Sequence, residues 1–461
     1  MHYYWLLEFP GVRGAKPGHR RLGCFLESHV HWRDLGSEDM LSRTTRTTLR
    51  AVRSFATVAD AASAGGLKVA AVDNGQPVSA VTLLVKAGSR YEPQQGAAHL
   101  LKNFAFKATN QRSALRTARE AELFGGVLSS TLTREHLAIT AEFLRGDEPY
   151  FVELLSSVLT SSQFLPHELT ESVLPTSIAE STAALQDPAT HALELAHALA
   201  FRSSGLGSSL FAVHPSLKSL DAVKALASSA FTKGNVAVIG TGVDSAKLSQ
   251  LVEKSLASLP SGAGAPSSGG SSQYFGGETR ADVHGAGQAV FVGFGAPGAA
   301  PELATLHAHL DTTPALKWTA GSSPLAGTGA VPVYVPYSDA ALFGVLVRAG
   351  TAAEASEGAK AAVAALKKVA SGLGADEAKR AVAKAKFVAA ALLEGREGLV
   401  AAVAPQVFGA PKADLASVHA ALDKVSESSV TKTLSSLTKA KPTYVAVGDL
   451  HGLPYADELG L

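Results

Sequence analysis

One stretch decides the fold of this chain: Gly96-Ala97-Ala98-His99-Leu100-Leu101-Lys102-Asn103-Phe104-Ala105-Phe106-Lys107. Apolar residues recur in it at positions 97, 100, 101, 104 and 105, and this period predicts an amphipathic helix. Because residues four apart share one face of a helix, His99 and Asn103 lie together, with Lys102 beside them. Two histidines at this spacing would bind zinc, and a carboxylate between them would activate a water molecule. Here only the first of these three groups is present.

The bulk composition predicts a globular protein of several domains. The chain has 461 residues, of which 46% are hydrophobic and 18% charged. Its formal net charge of +1 gives no reason to expect a nucleic acid or an acidic substrate. The single cysteine, Cys24, excludes a disulfide framework and a cysteine-based metal site. No run approaches the roughly 18 uninterrupted apolar residues that a membrane span needs.

Residues 40–55 have the composition of a mitochondrial transit peptide. They contain no acidic residue and many Ser and Thr, and their four arginines fall on one side of a helix: Arg43, Arg46, Arg50 and Arg53. Arg53 stands at position −3 of a matrix-processing pattern that predicts cleavage between Phe55 and Ala56. A surface-binding amphipathic helix is the alternative interpretation.

The preceding residues, 1–39, contain Trp5, Cys24 and Trp32 in no clear period. A transit peptide should be N-terminal, so we expect an over-extended start in the gene model, with Met40 as the true initiator. A genuine N-terminal extension is the alternative. Cleavage after Phe55 would leave a mature chain that begins near Ala56.

From residue 65 onward the pattern of strands and helices occurs twice. Residues 65–258 form one predicted domain, 259–280 a Gly/Ser/Pro-rich linker, and 281–461 a second domain. Residues 126–145 can be laid over residues 329–348 without a gap, 203 positions further along. Similar strand pairs can arise by chance, but the order of the flanking elements also agrees. The sequence therefore predicts a duplicated α+β domain.

Other polar groups carry weaker signals. The run Arg134-Glu135-His136 lies between two predicted strands, and we interpret it as a polar turn at the surface. No Ser-His-Asp arrangement can be assigned from spacing. These signals add no candidate site.

With the helix, the duplication and the linker established, residues 65–461 resemble the pitrilysin/mitochondrial processing peptidase family. Active members carry an inverted zinc motif, His-x-x-Glu-His, often followed by Ala-Phe-Lys. The matching residues here are His99-Leu100-Leu101-Lys102-Asn103, followed by Phe104-Ala105-Phe106-Lys107. The resemblance implies two domains, each a mainly antiparallel sheet packed with helices. It also places Glu180, 77 residues beyond Asn103, at the position of the distal zinc ligand.

The resemblance further implies that this zinc motif is degenerate. His99 and Glu180 match ligands, whereas Asn103 replaces the second histidine and Lys102 replaces the general base. An ammonium group cannot accept a proton from zinc-bound water, and its charge repels a metal ion. Two ligands also fall short of the three that a catalytic zinc normally has. We therefore expect no catalytic residue, no metal and no cofactor, with His99 as a structural helix histidine.

Two non-catalytic branches of the family remain open. The α subunit of the processing peptidase carries a dense glycine-rich loop that holds presequences, whereas residues 319–329 here contain only interspersed glycines. Residues 185–206 and 444–459 instead resemble core subunits of respiratory complex III (ubiquinol–cytochrome c reductase), particularly the fungal form. This resemblance implies a scaffold subunit, peripheral to the matrix side of the mitochondrial inner membrane and without a membrane span. Its implied partners are core protein 1 and other complex III subunits, including cytochrome b.

Overall fold

The computed structural model describes residues 62–461 except 74, 213–219, 263–270, 284, 286, 320 and 409–413. The predicted extension 1–39 and transit peptide 40–55 lie outside the described residues. The cleavage residues Arg53, Phe55 and Ala56 lie outside them as well.

The first half combines a sheet with a set of helices. Its strands are β1 (Ala62–Ala64), β2 (Leu67–Val72), β3 (Val78–Val85), β4 (Val127–Leu132), β5 (Leu137–Leu144) and β6 (Val236–Thr241). Its helices are α1 (Ala97–Phe104), α2 (Ala114–Leu123), α3 (Glu148–Thr160), α4 (Pro166–Glu168), α5 (Leu174–Gln186), α6 (Pro188–Phe201), α7 (Leu220–Ala230) and α8 (Ser245–Ser255). A π-helical segment, Leu169–Val173, joins α4 to α5.

The second half also combines a sheet with a set of helices. Its strands are β7 (Gly277–Asp282), β8 (Gln288–Ala296), β9 (Ala330–Pro336), β10 (Ala341–Ala349) and β11 (Thr443–Gly448). Its helices are α9 (Pro301–Leu310), α10 (Ala352–Ser371), α11 (Ala375–Leu392), α12 (Arg396–Val407), α13 (Leu415–Asp423) and α14 (Glu427–Leu437). Strand β7 begins inside the segment predicted as linker, 259–280. Its polar sequence has no strand period, and it is ordered by backbone pairing with β11 at the sheet edge.

The two sheets share one topology, which confirms the duplicated α+β fold. The first sheet has the order β1-β2-β6-β3-β5-β4 and the second the order β7-β11-β8-β10-β9. In each sheet one pair is parallel, β2 with β6 and β7 with β11, and the other pairs are antiparallel. Apart from β1, each strand of the first sheet therefore has an equivalent in the second.

The register of the two hairpins corrects the alignment without a gap. The β4–β5 hairpin closes with Leu132 opposite Leu137, and the β9–β10 hairpin closes with Pro336 opposite Ala341. The hairpins therefore correspond at a shift of 204 residues, not 203. Because strand side chains alternate between faces, this one-residue error would have exchanged the two faces of each hairpin.

Each half supplies a helix that covers the sheet of the other half. Helix α6 packs on the second sheet, where its Ala196 and Phe201 join a buried cluster with Phe291 and Val445. Helix α12 packs on the first sheet, where its Val403 joins a buried cluster with Ile239 and other strand residues. The opposite face of the first sheet packs against α1, α3, α7 and α8. This exchange joins the two halves into one packed unit.

Candidate functional site

Helix α1 presents its polar side to α5 because its apolar side is buried. Leu100, Leu101 and Phe104 lie in the first-half core. The helix begins after Gly96, whose φ of 87° is in the left-handed region that favours glycine. The Glu92 carboxylate accepts hydrogen bonds from the backbone N–H groups of Gly96 and Ala98 and so caps the helix. Burial raises the pKa of Glu92 to about 7, although these hydrogen bonds oppose the rise.

The structure brings the four predicted site residues together around the carboxylate of Glu180. His99 Nε2 lies 2.6 Å from Glu180 Oε2, and Asn103 Nδ2 donates to the same oxygen at 3.0 Å. Lys102 Nζ lies 2.9 Å from both carboxylate oxygens. Asn103 Nδ2 also contacts Ser177 Oγ at 2.8 Å. A single carboxylate thus accepts from three side chains of one helix.

The hydrogen bonds of His99 define its tautomer. The backbone N–H of Ala212 donates to Nδ1 of His99 at 3.1 Å, so this ring nitrogen carries a lone pair. The proton of the neutral ring therefore sits on Nε2, which donates it to Glu180. The edge of the His99 ring packs against Phe211, with 5.8 Å between ring centroids. Both nitrogens of this buried ring are thus occupied by contacts within the protein.

These contacts do not fit a zinc ion. A zinc ligand must present a lone pair, but the Nε2 of His99 carries a proton and Glu180 is already bound by Lys102. The Lys102 ammonium stands beside the carboxylate, where its charge repels a divalent cation. Among the residues that the structure describes, no three His, Cys, Asp or Glu side chains converge as a metal site would require.

The protonation of Glu180 reflects these partners. Burial would by itself raise the pKa of Glu180, but hydrogen bonds from His99, Lys102 and Asn103, together with the Lys102 charge, lower it to about 2. The carboxylate is therefore ionised throughout the physiological pH range.

We expect Glu180→Gln to destabilise the protein at pH 7 and to lose that effect in acid. The carboxamide cannot accept from all three donors, and because 36% of the side chain is exposed we expect a loss of about 1 kcal/mol. The folded-state pKa of Glu180 is depressed. Its contribution is therefore full above the ordinary pKa of 4.5 and is lost as the pH falls toward 2. Urea unfolding midpoints of wild type and variant, measured across this range, check the prediction.

The exposed Glu122→Gln on α2 is the matched control and should leave the midpoint unchanged at every pH. A difference between wild type and Glu180→Gln that stays constant down to pH 2 would contradict a depressed pKa.

Two site residues were not found from the sequence. Ser177 lies one helical turn before Glu180 in α5, so the spacing could have identified it once Glu180 was assigned. Ala212 acts through its backbone N–H, so the type of its side chain gives no sign of this contact. Its position follows only from the packing of the segment after α6 against α1.

The predicted surface turn at Arg134-Glu135-His136 is wrong. These residues are 2%, 5% and 9% exposed, and they lie where the hairpin turns of the two halves meet. Glu135 accepts from Arg90 at 2.8 Å and from the backbone N–H of Ser338 at 3.2 Å. Arg90 also binds Asp339 at 2.7 Å. Arg134 is buried with Glu194, 2.6 Å away, as its partner, whereas Glu135 is buried between Arg90 and the opposing turn.

Comparison with known proteins agrees with this fold. Residues 68–213 match the model of the insulinase family (peptidase family M16). This match covers the first half from β2 through α6, including α1 and Glu180. The class defined by fold and site is therefore an M16 peptidase-like protein.

Relatives extend the similarity over most of the chain. The mitochondrial cytochrome b–c1 complex subunit 2 of Cryptococcus neoformans is 47% identical over 420 residues, which cover 87% of this chain and 95% of that protein. The proteins with the same description from Yarrowia lipolytica and Saccharomyces cerevisiae are 36% and 34% identical, and the matches cover 97% and 96% of those proteins. This chain belongs to the family of mitochondrial cytochrome b–c1 complex subunit 2 proteins, known also as core protein 2.

In the described ranges, no helix combines the length and apolarity that a bilayer crossing demands.

Proposed function

We propose that this chain is a non-catalytic scaffold subunit of the mitochondrial cytochrome b–c1 complex (ubiquinol–cytochrome c reductase, complex III). The names of its relatives support this assignment, because the similarity spans nearly their whole length. The observation that carries the non-catalytic part is the Lys102 ammonium bound to both oxygens of Glu180. The proposed role is assembly and stability of the complex on the matrix side of the inner membrane.

In this proposal the α1–α5 site is a degenerate zinc site. The metal is replaced by direct contacts, since the charge of Lys102 neutralises Glu180 and Asn103 takes the place of a second imidazole. In place of a metal ion, hydrogen bonds join α1 to α5. The site therefore serves stability and has neither a catalytic residue nor a cofactor.

The proposed partners are core protein 1 and other subunits of the complex, including cytochrome b. Exposed large apolar side chains support extensive subunit contacts. Leu123 and Trp318 are 83% and 81% exposed, and such side chains are often covered by a partner in an assembly. The described helices give the chain no span of its own, so we propose that it is peripheral to the membrane.

We also propose the domain boundaries and the targeting signal predicted from the sequence. Residues 65–258 and 281–461 would form the two peptidase-like domains, with 259–280 between them. Residues 40–55 would direct import and be removed after Phe55, with Arg53 and Ala56 in the recognised site. The two equivalent sheets support the domain proposal. N-terminal analysis of the mitochondrial protein tests the signal, and a terminus upstream of Met40 would contradict it.

Native gel separation of detergent-solubilised mitochondria tests the proposed function. We expect this chain, identified by mass, to migrate with cytochrome b and haem in one high-mass band. The alternative, a non-catalytic α subunit that binds presequences for a processing peptidase, predicts a soluble dimer that cleaves presequences. Absence of the chain from the haem-containing band would overturn the scaffold proposal. The matrix side is tested separately by protection from protease in intact mitoplasts.

A further inference from the structure

Each helix that packs on the sheet of the other half meets the hairpin turn of that sheet at a histidine. Phe408, the residue that follows α12, stacks on His136 in the β4–β5 turn, with 5.0 Å between ring centroids. Helix α6 carries His197, and Nε2 of its ring lies 2.8 Å from the hydroxyl oxygen of Tyr337 in the β9–β10 turn. The contact between the halves therefore contains one imidazole under each of the two exchanged helices.

The hydrogen bonds of the buried His197 require a neutral ring. The carbonyl of Leu193 accepts from Nδ1 at 2.7 Å, so Nδ1 carries the proton of the ring. Nε2 therefore has a lone pair and accepts the hydroxyl proton of Tyr337. A second proton on Nε2 would place two donors against each other. It would also place a cation beside the Arg134 guanidinium.

The surroundings of His136 also disfavour a second proton. The ring is 9% exposed, and its Nδ1 has no hydrogen-bond partner among the described residues. The Phe408 ring that stacks on it carries no charge, and the Lys86 ammonium lies 4.7 Å from the centroid of that same ring. A protonated His136 would be repelled by Lys86 and would lack an acceptor for the N–H group at Nδ1.

The other charged groups near the two rings are paired among themselves. Arg134, from the first hairpin turn, and Glu194, from the same helix as His197, form an ion pair at 2.6 Å. Glu135 is close enough to act on the charge of Lys86, but it is bound to Arg90 at 2.8 Å. These pairs leave no carboxylate free to stabilise an added proton on either ring.

Both rings are consequently neutral in the folded chain at pH 7. Burial, followed by repulsion from Lys86, lowers the pKa of His136 to about 4. Burial, followed by repulsion from Arg134, lowers the pKa of His197 well below its ordinary value of 6.5.

We propose that His136 and His197 form an acid-sensitive release of the contact between the two halves. In the closed chain both rings are neutral. When α6 and α12 lift from the opposite sheets, water reaches the rings and they take up protons. Because protons bind the opened state more tightly than the closed state, acid shifts the equilibrium toward opening.

The direction and size of the effect follow from proton linkage. The contribution of each neutral ring is complete above the ordinary pKa of 6.5 and is lost as the pH falls toward the folded-state value, about 4 for His136. At pH 5 each histidine favours opening by up to about 30-fold relative to pH 7.5. Burial opposes the shift, but the hydrogen bond from Arg90 lowers the pKa of Asp339, so this ion pair of the contact persists at pH 5.

Hydrogen exchange of the full chain, followed by mass spectrometry at pH 7.5 and pH 5, tests the release. After correction for the pH dependence of chemical exchange, we expect the protection of α6 and α12 to fall at least about tenfold in acid. Helices α3 and α10 each lie in the core of a single half, so their protection should fall less than about threefold.

Two substitutions remove the titrating groups and keep the contacts. His136→Phe retains a ring that can stack on Phe408, and His197→Gln retains an acceptor for the Tyr337 hydroxyl. Each is expected to reduce the acid-induced loss of protection at α6 and α12 at least about fivefold. Circular dichroism at pH 7.5 establishes that each variant is folded.

His307→Gln is the matched control. Burial lowers the pKa of His307 to about 4 as well, but its ring contacts the carbonyl of Pro332 inside the second half. This variant should leave the acid-induced loss at α6 and α12 unchanged. Equal loss of protection in α3, α6, α10 and α12 would overturn the proposal, because acid would then unfold the whole chain. An unchanged loss in both His136→Phe and His197→Gln would overturn it as well.

Discussion

If the natural site is degenerate as proposed, Lys102→Glu combined with Asn103→His is expected to give the chain a zinc site. The double substitution removes the ammonium that binds Glu180 and introduces a second imidazole one turn after His99. His99, position 103 and Glu180 already converge, because the His99 and Asn103 side chains lie 2.6 Å and 3.0 Å from Glu180 Oε2. We expect about one zinc per chain with a dissociation constant on the order of 1 μM or tighter.

Metal analysis after dialysis, followed by competition with a chromophoric chelator, measures this change. Adding Glu180→Gln to the double variant removes the third ligand and should weaken zinc binding at least about tenfold. Lys102→Glu alone leaves two ligands and should bind little zinc. If the natural chain itself held about one chelatable zinc, the proposal of a degenerate site would be wrong.

Glu135→Ala is expected to cause the largest loss of stability among single substitutions at the contact between the halves. Glu135 and Arg90 are each 7% exposed at the side chain, and removing one partner of a buried ion pair costs about 3–5 kcal/mol. Asp339 remains bound to Arg90 and limits the loss. The backbone N–H of Ser338 also loses its acceptor. We therefore expect about 3 kcal/mol.

Urea unfolding of the purified chain, followed by circular dichroism, measures the loss. Arg116→Ala is the matched control. The Arg116 side chain is 63% exposed, so its ion pair with Glu120 should contribute less than about 1 kcal/mol. A double-mutant cycle with Asp339→Ala separates the two carboxylates. Equal effects of Glu135→Ala and Arg116→Ala would show that the contact between the halves does not depend on this pair.

The site could be predicted from the sequence because three of its residues have the spacing of one helix face. His99, Lys102 and Asn103 lie on one helix face, so their proximity follows from helical geometry. Glu180 was assigned by its distance along the chain, through the family resemblance, and the structure brings it within 2.6 Å of His99 Nε2. Ser177 lies one turn before Glu180 on α5, so its spacing could have revealed it. The N–H of Ala212 was missed because its contact depends on how the segment after α6 packs against α1.

The sequence by itself determined the α+β class, the duplication and the character of helix α1, since these depend on periodicity within short segments. Tertiary structure alone decided the exchange of α6 and α12 and the burial of Arg134-Glu135-His136. A charged turn has the same local sequence whether it faces water or a complementary turn. The burial of Glu135 depends in part on Ser338, which lies 203 residues further along the chain. The physical reason is that short-range sequence patterns determine the helices and strands, whereas long-range packing determines which of their faces come into contact.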